Sequence, residues 1–310
     1  MTAAALPTAH AVSFAAADGT VLAGNMYEPH GAEKALVPVL LAGGLGMAQR
    51  FYAPFASYLA QQGHRVLTFD LRGIGASRQP QHRHSLRGLQ ADMLTWARQD
   101  FAAAVHLLAD HAPGGRIALV GHSLGMHHAA MTDAATQTRI GLAVSVAAGS
   151  GYWRDWAPAS RQKAPLMLHL AVPLLAPLLG YFPGKRLGMV GDLPGPAARQ
   201  WSRWCRHAEF AWGAEPAWVT PSLHSARFRI HALSFTDDEA MTEACTRKLL
   251  AAMPHAPSHV EVVAPADVGM ERIGHIGAFR PEARTALWPM IESHLHAPMH
   301  PPTPTPTPTP

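Results

Sequence analysis

Ser123 lies in the run Gly121-His122-Ser123-Leu124-Gly125, directly behind the apolar stretch 116–120 (RIALV). That is a strand, a turn and the start of a helix, with a serine at the apex. A serine hydroxyl at its ordinary acidity is a poor nucleophile, so it needs an adjacent base and an open approach. The chemistry such a serine performs is attack on an electrophilic carbon, with transient acylation. Gly121 and Gly125 flank it where a side chain would collide with the crossing strand and helix. The small pair Ala129-Ala130 lets the following helix pack closely.

A serine on a strand-to-helix elbow takes its partners in the chain order Ser, acid, His. The base is expected at His275, in Arg272-Ile273-Gly274-His275-Ile276-Gly277, in a glycine-bracketed loop ahead of the last helix. It would take the serine proton and return it to the leaving group. The acid is expected just beyond the strand at 228–233, in Ser234-Phe235-Thr236-Asp237-Asp238-Glu239. Asp238 is favoured because it lies four residues before Thr242, the expected N-cap of the next helix; Asp237 is the alternative acid. The tetrahedral intermediate needs two backbone N–H donors. Leu124 supplies one in this reading. The loop Gly43-Gly44-Leu45-Gly46-Met47 supplies the other from Leu45, with Gly46 as the alternative.

The elements that must hold these groups read as an α/β pattern. A hairpin is expected over 11–28, strands at 36–42, 64–69, 116–120 and 140–147, and helices near 50–62, 88–110 and 124–133. The rhythm breaks at 150–222 and resumes with a strand at 228–233, a helix near 242–252, a strand at 259–263 and a last helix near 282–296. Alternating strands and helices predict a mostly parallel central sheet with flanking helices. The core is then 10–149 with 223–297, and 150–222 is a lid (cap) insertion over the edge where ligands bind. Residues 298–310 form a Pro/Thr low-complexity tail, expected to be extended and solvated.

Six of the eight tryptophans fall in the insertion (Trp153, Trp156, Trp201, Trp204, Trp212 and Trp218). They suggest an apolar acyl or alkyl pocket, or packing of the lid on the sheet. Arg154, Arg161, Lys163, Lys185 and Arg186 could meet a carboxylate there, although exposure is the default for such groups. The stretch 164–182 carries no formal charge, but Pro165, Pro173, Pro177 and His169 argue for buried or lid helices rather than a stable membrane span.

Composition excludes several classes. The net charge of +4 is spread along the chain without a basic run, which argues against nucleic acid. The two cysteines, Cys205 and Cys245, give neither zinc spacing nor a disulfide framework. They fit a reduced compartment, the N-terminus does not read as a signal peptide, and a cytoplasmic location is expected. His122, His127 and His128 do not make a metal set, because His127 and His128 point apart on a helix. Neither a cofactor nor a metal is expected.

The runs G-H-S-L-G (121–125), F-D-L-R-G-I-G-A-S (69–77) and G-H (274–275) resemble α/β-hydrolases of the serine-nucleophile type. Q-R-F-Y (49–52), G-Y-F-P-G-K (180–185), W-S-R-W-C-R (201–206), S-F-T-D-D (234–238) and G-H-I-G-A-F-R (274–280) further resemble a subgroup of bacterial α/β-hydrolases of undefined substrate. The resemblance covers roughly residues 10–295. It implies Ser123 as nucleophile, His275 as base, Asp238 or Asp237 as acid, and loop 43–47 at the oxyanion position. Gly43 stands where many relatives carry a histidine. The expected function is hydrolysis of a small-molecule ester through an acyl-enzyme. Amide or peptide cleavage, acyl transfer, and a non-catalytic binding or scaffold role are the alternatives. Oligomeric state is not read from the sequence.

Overall fold

A computed structural model of the chain describes residues 9–29, 36–189 and 191–299. The tail expected to be extended lies almost wholly outside the described residues. Eight strands form one sheet in the order β1-β2-β4-β3-β5-β6-β9-β10. They are β1 (Ala9–Ala15), β2 (Val21–Tyr27), β3 (Val39–Ala42), β4 (Val66–Phe69), β5 (Ile117–His122), β6 (Ile140–Val146), β9 (Arg229–Phe235) and β10 (Ser258–Val263). The pairs β1/β2 and β2/β4 are antiparallel; every pair from β4 to β10 is parallel. The central strands read as unbroken apolar runs because both faces are covered, and all residues of β3, β4, β5 and β6 are buried.

On one face lie α1 (Ala53–Gln61) and, from the end of the chain, α7 (Leu287–His294). Their core includes Phe55, Phe279 and Trp288, which meet edge to face. On the other face lie α2 and α3 (Leu124–Met131). Helix α2 joins Met93–Thr95, a π-helical stretch Trp96–Phe101, and Ala102–Ala109. It starts later than the pattern predicts because Asp92 is the cap, its carboxylate accepting from Thr95 N. The last helix is likewise shorter than expected. Short 3₁₀ pieces at Gly277–Phe279 and Pro281–Ala283 precede it, and the α-helix begins only at Leu287.

Between β6 and β9 the chain leaves the sheet and builds the helical insertion over the C-terminal strand edge. It contains α4 (Pro158–Leu179), the two-stranded β7 (Tyr181–Phe182) and β8 (Leu193–Pro194), α5 (Gly195–Arg206) and α6 (Pro216–Ser225). Glu215 fixes its interior. One carboxylate accepts from Gln200 Nε2 (2.9 Å) and Trp204 Nε1 (2.9 Å), and pairs with Arg203.

Candidate active site

Ser123 sits between β5 and α3 with φ 50° and ψ −116°, a conformation that costs a non-glycine residue energy. Two backbone bonds hold it there: Ser123 N donates to Val146 O (3.0 Å), and Met126 N donates to Ser123 O (3.2 Å). The flanking glycines have no room for a side chain. A Cβ on Gly125 would lie 2.1 Å from the Ala42 carbonyl oxygen, and one on Gly121 2.9 Å from Met126 backbone.

The structure brings Ser123, His275 and Asp238 into one line. His275 Nε2 is 3.1 Å from Ser123 Oγ, and His275 Nδ1 is 2.9 and 3.1 Å from the Asp238 oxygens. A carboxylate only accepts, so Nδ1 carries the proton in the neutral ring. Nε2 then presents its lone pair to the serine hydroxyl. The Asp238 side chain is fully buried and also accepts from Ala240 N (2.7 Å) and Met241 N (2.9 Å). Those bonds satisfy the carboxylate and fix its direction.

The alternative acid stands elsewhere. Asp237 accepts from Ile273 N (2.8 Å) and Gly274 N (3.1 Å). It braces the backbone of the loop that carries the imidazole, but makes no bond to the ring. Glu239, to which sequence reasoning gave no role, accepts from His275 N (3.1 Å) and pairs with Arg272. Three consecutive acids therefore grip one loop.

A second buried network was also missed. His122 Nε2 is 2.9 Å from His275 O, and His122 Nδ1 is 2.7 Å from Tyr52 Oη. Burial holds the His122 ring neutral, its pKa lowered to about 3. A carbonyl only accepts, so Nε2 carries the ring proton and Nδ1 must accept from the tyrosine O–H. The same oxygen accepts from Gly44 N (2.8 Å). One chain of bonds thus runs from the loop after β3, through Tyr52 and His122, to His275. The sequence signal was present in the Gly-His-Ser run and in Gln-Arg-Phe-Tyr. What it lacked was the pairing across 70 residues.

Leu45 and Leu124 both line the cavity in front of Ser123. Leu124 is the first residue of α3, whose leading N–H groups have no partner within the helix. Gly44 N is taken by Tyr52, while no protein acceptor takes the Leu45 N–H among the described residues. Gly46, the alternative donor, has its backbone against the insertion near Leu193 and Gly191.

The cavity measures about 430 Å³. Its wall is mostly apolar, with Met47, Met189, Leu193, Trp156, Trp201 and Phe210 contributing. The tryptophans divide. Trp156 and Trp201 stack at 6.5 Å on the cavity wall, whereas Trp204 is fully buried packing and Trp218 is exposed beside Arg98. None of Arg154, Arg161, Lys163, Lys185 and Arg186 lines it. A grouping that could hold a metal ion lies at the opposite sheet edge, where a Glu292 oxygen is 3.4 Å from His64 Nε2 and 2.7 Å from His296 Nε2. Those bonds account for its geometry.

Residues 33–209, more than half of the chain, match the family model described as Serine aminopeptidase, S33. The chain belongs to that family. It is thereby an α/β-hydrolase of the serine-nucleophile type and, by class, a serine-dependent hydrolase. Among curated relatives of this α/β-hydrolase, a Variovorax paradoxus (strain S110) protein named "Putative carbamate hydrolase RutD" is 37% identical over 99 residues. That alignment spans 32% of this chain and 33% of the relative. A soluble variant of monoglyceride lipase from Saccharomyces cerevisiae, solved with a substrate analogue, superposes with a TM-score of 0.65 at 14% identity, covering 94% of this chain and 96% of that one. A thermostable carboxyl esterase from Bacillus coagulans gives 0.61 at 14% identity, covering 93% and 99%. At such identities these neighbours establish the α/β-hydrolase fold alone.

Proposed function

We propose that the protein is a carboxylic ester hydrolase working through an acyl-enzyme, with Ser123 as nucleophile, His275 as general base and Asp238 as the acid that orients it. The reading rests on one observation above the others: the bonded line Asp238–His275–Ser123 opens into an apolar cavity. His275 takes the Ser123 proton as Oγ attacks the ester carbonyl carbon. The carbonyl electron pair moves to oxygen, where the N–H groups of Leu45 and Leu124 receive it, with Gly46 as the alternative to Leu45. Collapse expels the alcohol, which takes the proton from His275, and water then repeats the sequence to release the acid. In this reading 150–222 is the lid, and 10–149 with 223–297 the catalytic core.

The mostly apolar wall favours an acyl or alkyl moiety over a charged one. The second reading is amide cleavage, which the family description and the Glu239 carboxylate on the cavity wall favour. That carboxylate is already held by the His275 N–H and Arg272, so it is poorly placed to receive a substrate ammonium as well. An unactivated ester set against an activated anilide separates the two readings. Ethyl octanoate, followed by acid release at constant pH, is expected to turn over at least about a hundredfold faster than alanine p-nitroanilide. Turnover of the anilide with none of the ester would overturn the ester assignment.

A further inference from the structure

Helix α4 is 22 residues long and contains an 18-residue stretch that is, by length and composition, apolar enough to cross a membrane. Its two faces are unlike. Ala164, Leu168, Val172 and Ala176, four apart, are wholly buried in the core beneath the insertion. Leu166, Leu170, Leu174 and Leu178, also four apart, stand 66%, 49%, 57% and 72% exposed. The helix is α-helical over Pro158–Pro165 and Val172–Leu179 and π-helical over Leu166–Ala171, and the burial of one set and exposure of the other place them on opposite sides of it. The exposed leucines therefore form a stripe along the outer side of the helix. Pro165, His169 and Pro177 flank it and are also exposed. An exposed apolar row of this length on a soluble fold marks an interaction surface.

Charge frames the stripe. Residues 156–191 contain no Asp or Glu, and their formal charges are Arg161, Lys163, Lys185 and Arg186, all exposed. The first two precede the stripe on α4. The last two follow the helix, on a short turn (Gly184–Leu187) that ends in the exposed Leu187. The nearest acids in sequence are already paired, Asp155 with Lys248 and Asp192 with Arg78.

We propose that this face seats the enzyme on an anionic phospholipid surface, with the leucines among the acyl chains and the four cations at the headgroups. An apolar face with basic ends lies in the plane of the interface. A span is excluded by the inner face, which belongs to the core, and by bonds that fasten the helix: Ser202 Oγ donates to Leu168 O (2.7 Å), and Arg87 Nε to Leu179 O (3.0 Å). A second copy of the chain fits less well. Two copies meeting about a two-fold axis would set basic ends together with no acid to meet them. The placement suits a substrate with an apolar moiety, because the first turns of α4 carry Ser160 to the cavity wall. The docking itself does not depend on the ester reading.

The test is co-sedimentation of the full chain with phosphatidylcholine vesicles, with and without 30% phosphatidylglycerol. Wild type is expected to partition onto the anionic vesicles at least about tenfold more than the Leu170→Gln/Leu174→Gln variant. It should lose most of that binding at 0.5 M salt, as headgroup attraction requires. An unchanged melting temperature for the variant certifies its fold. Arg161→Gln/Lys163→Gln should weaken binding without abolishing it, and Ser123→Ala should bind like wild type whether or not the protein is an esterase. No vesicle binding by wild type, or equal binding by the folded leucine variant, overturns the proposal. So does a wild-type dimer that the leucine variant dissociates, which would give the face to a second copy.

Discussion

Replacing Ser123 by alanine is expected to lower kcat/KM on the best ester about a thousandfold to a millionfold, because among the described residues Ser123 Oγ is the group bonded to His275 Nε2. The two neighbouring acids should then separate. Asp238→Asn keeps the shape, but its amide can no longer hold the Nδ1 proton as an acceptor on both atoms. The imidazole loses the tautomer that leaves Nε2 free, at a cost of about a thousandfold to ten-thousandfold. Asp237→Asn removes only acceptor strength from the Ile273 and Gly274 N–H groups, and is expected to cost about tenfold or less. Initial rates of the three purified variants check this. A collapse in Asp237→Asn with activity kept in Asp238→Asn would reverse the assignment of the acid.

The second large effect is on stability. Arg72, in the Asp-Leu-Arg-Gly run after β4, is nearly buried and bonds to the fully buried Asp100 through Nε (2.7 Å) and Nη2 (2.6 Å), with the Arg72 backbone N–H on the same carboxylate (2.7 Å). Its other side holds Asp18 at 2.6 Å, and this guanidinium hydrogen bond lowers the Asp18 pKa to about 2. Asp100→Ala would leave the buried guanidinium with Asp18 alone and take the acceptor from the buried Arg72 backbone N–H. It is expected to cost about 3–5 kcal/mol, the usual penalty for breaking a buried pair from one side. Arg72→Leu/Asp100→Ala should cost clearly less than the sum of Arg72→Leu and Asp100→Ala, since both buried charges leave at once. Urea unfolding of the four proteins measures the cycle. A loss under about 0.5 kcal/mol for Asp100→Ala would show that the pair does not hold the loop.

The sheet and its helices were legible because their signals are local. β5 and β6 are short apolar runs, and the Gly-x-Ser-x-Gly turn follows one of them directly. The meeting of Ser123, Asp238 and His275, whose side chains lie within hydrogen-bond distance, was foreshadowed for the same reason, since each sits at the end of a readable strand or in a glycine-rich loop. The work of the other acids was not. Asp237, Asp238 and Glu239 are neighbours in sequence, and only the path of the loop at 272–277 decides which faces the ring and which the backbone. The Tyr52–His122–His275 chain joins three segments by partners of exact tautomeric role, and no periodicity carries that. The insertion was visible as a broken rhythm and an uncharged stretch. Its outer face was not, because Leu168 and Leu170 look alike until packing buries one and exposes the other.

Ser123 is proposed as an activated nucleophile that a small reagent can reach through the cavity. A small fluorophosphonate probe, applied to wild type and Ser123→Ala and followed by intact mass and peptide mapping, tests it most directly. The account predicts one adduct per chain, on Ser123, absent from the alanine variant. A folded wild-type protein that takes no adduct, or takes it equally in the variant, would contradict it.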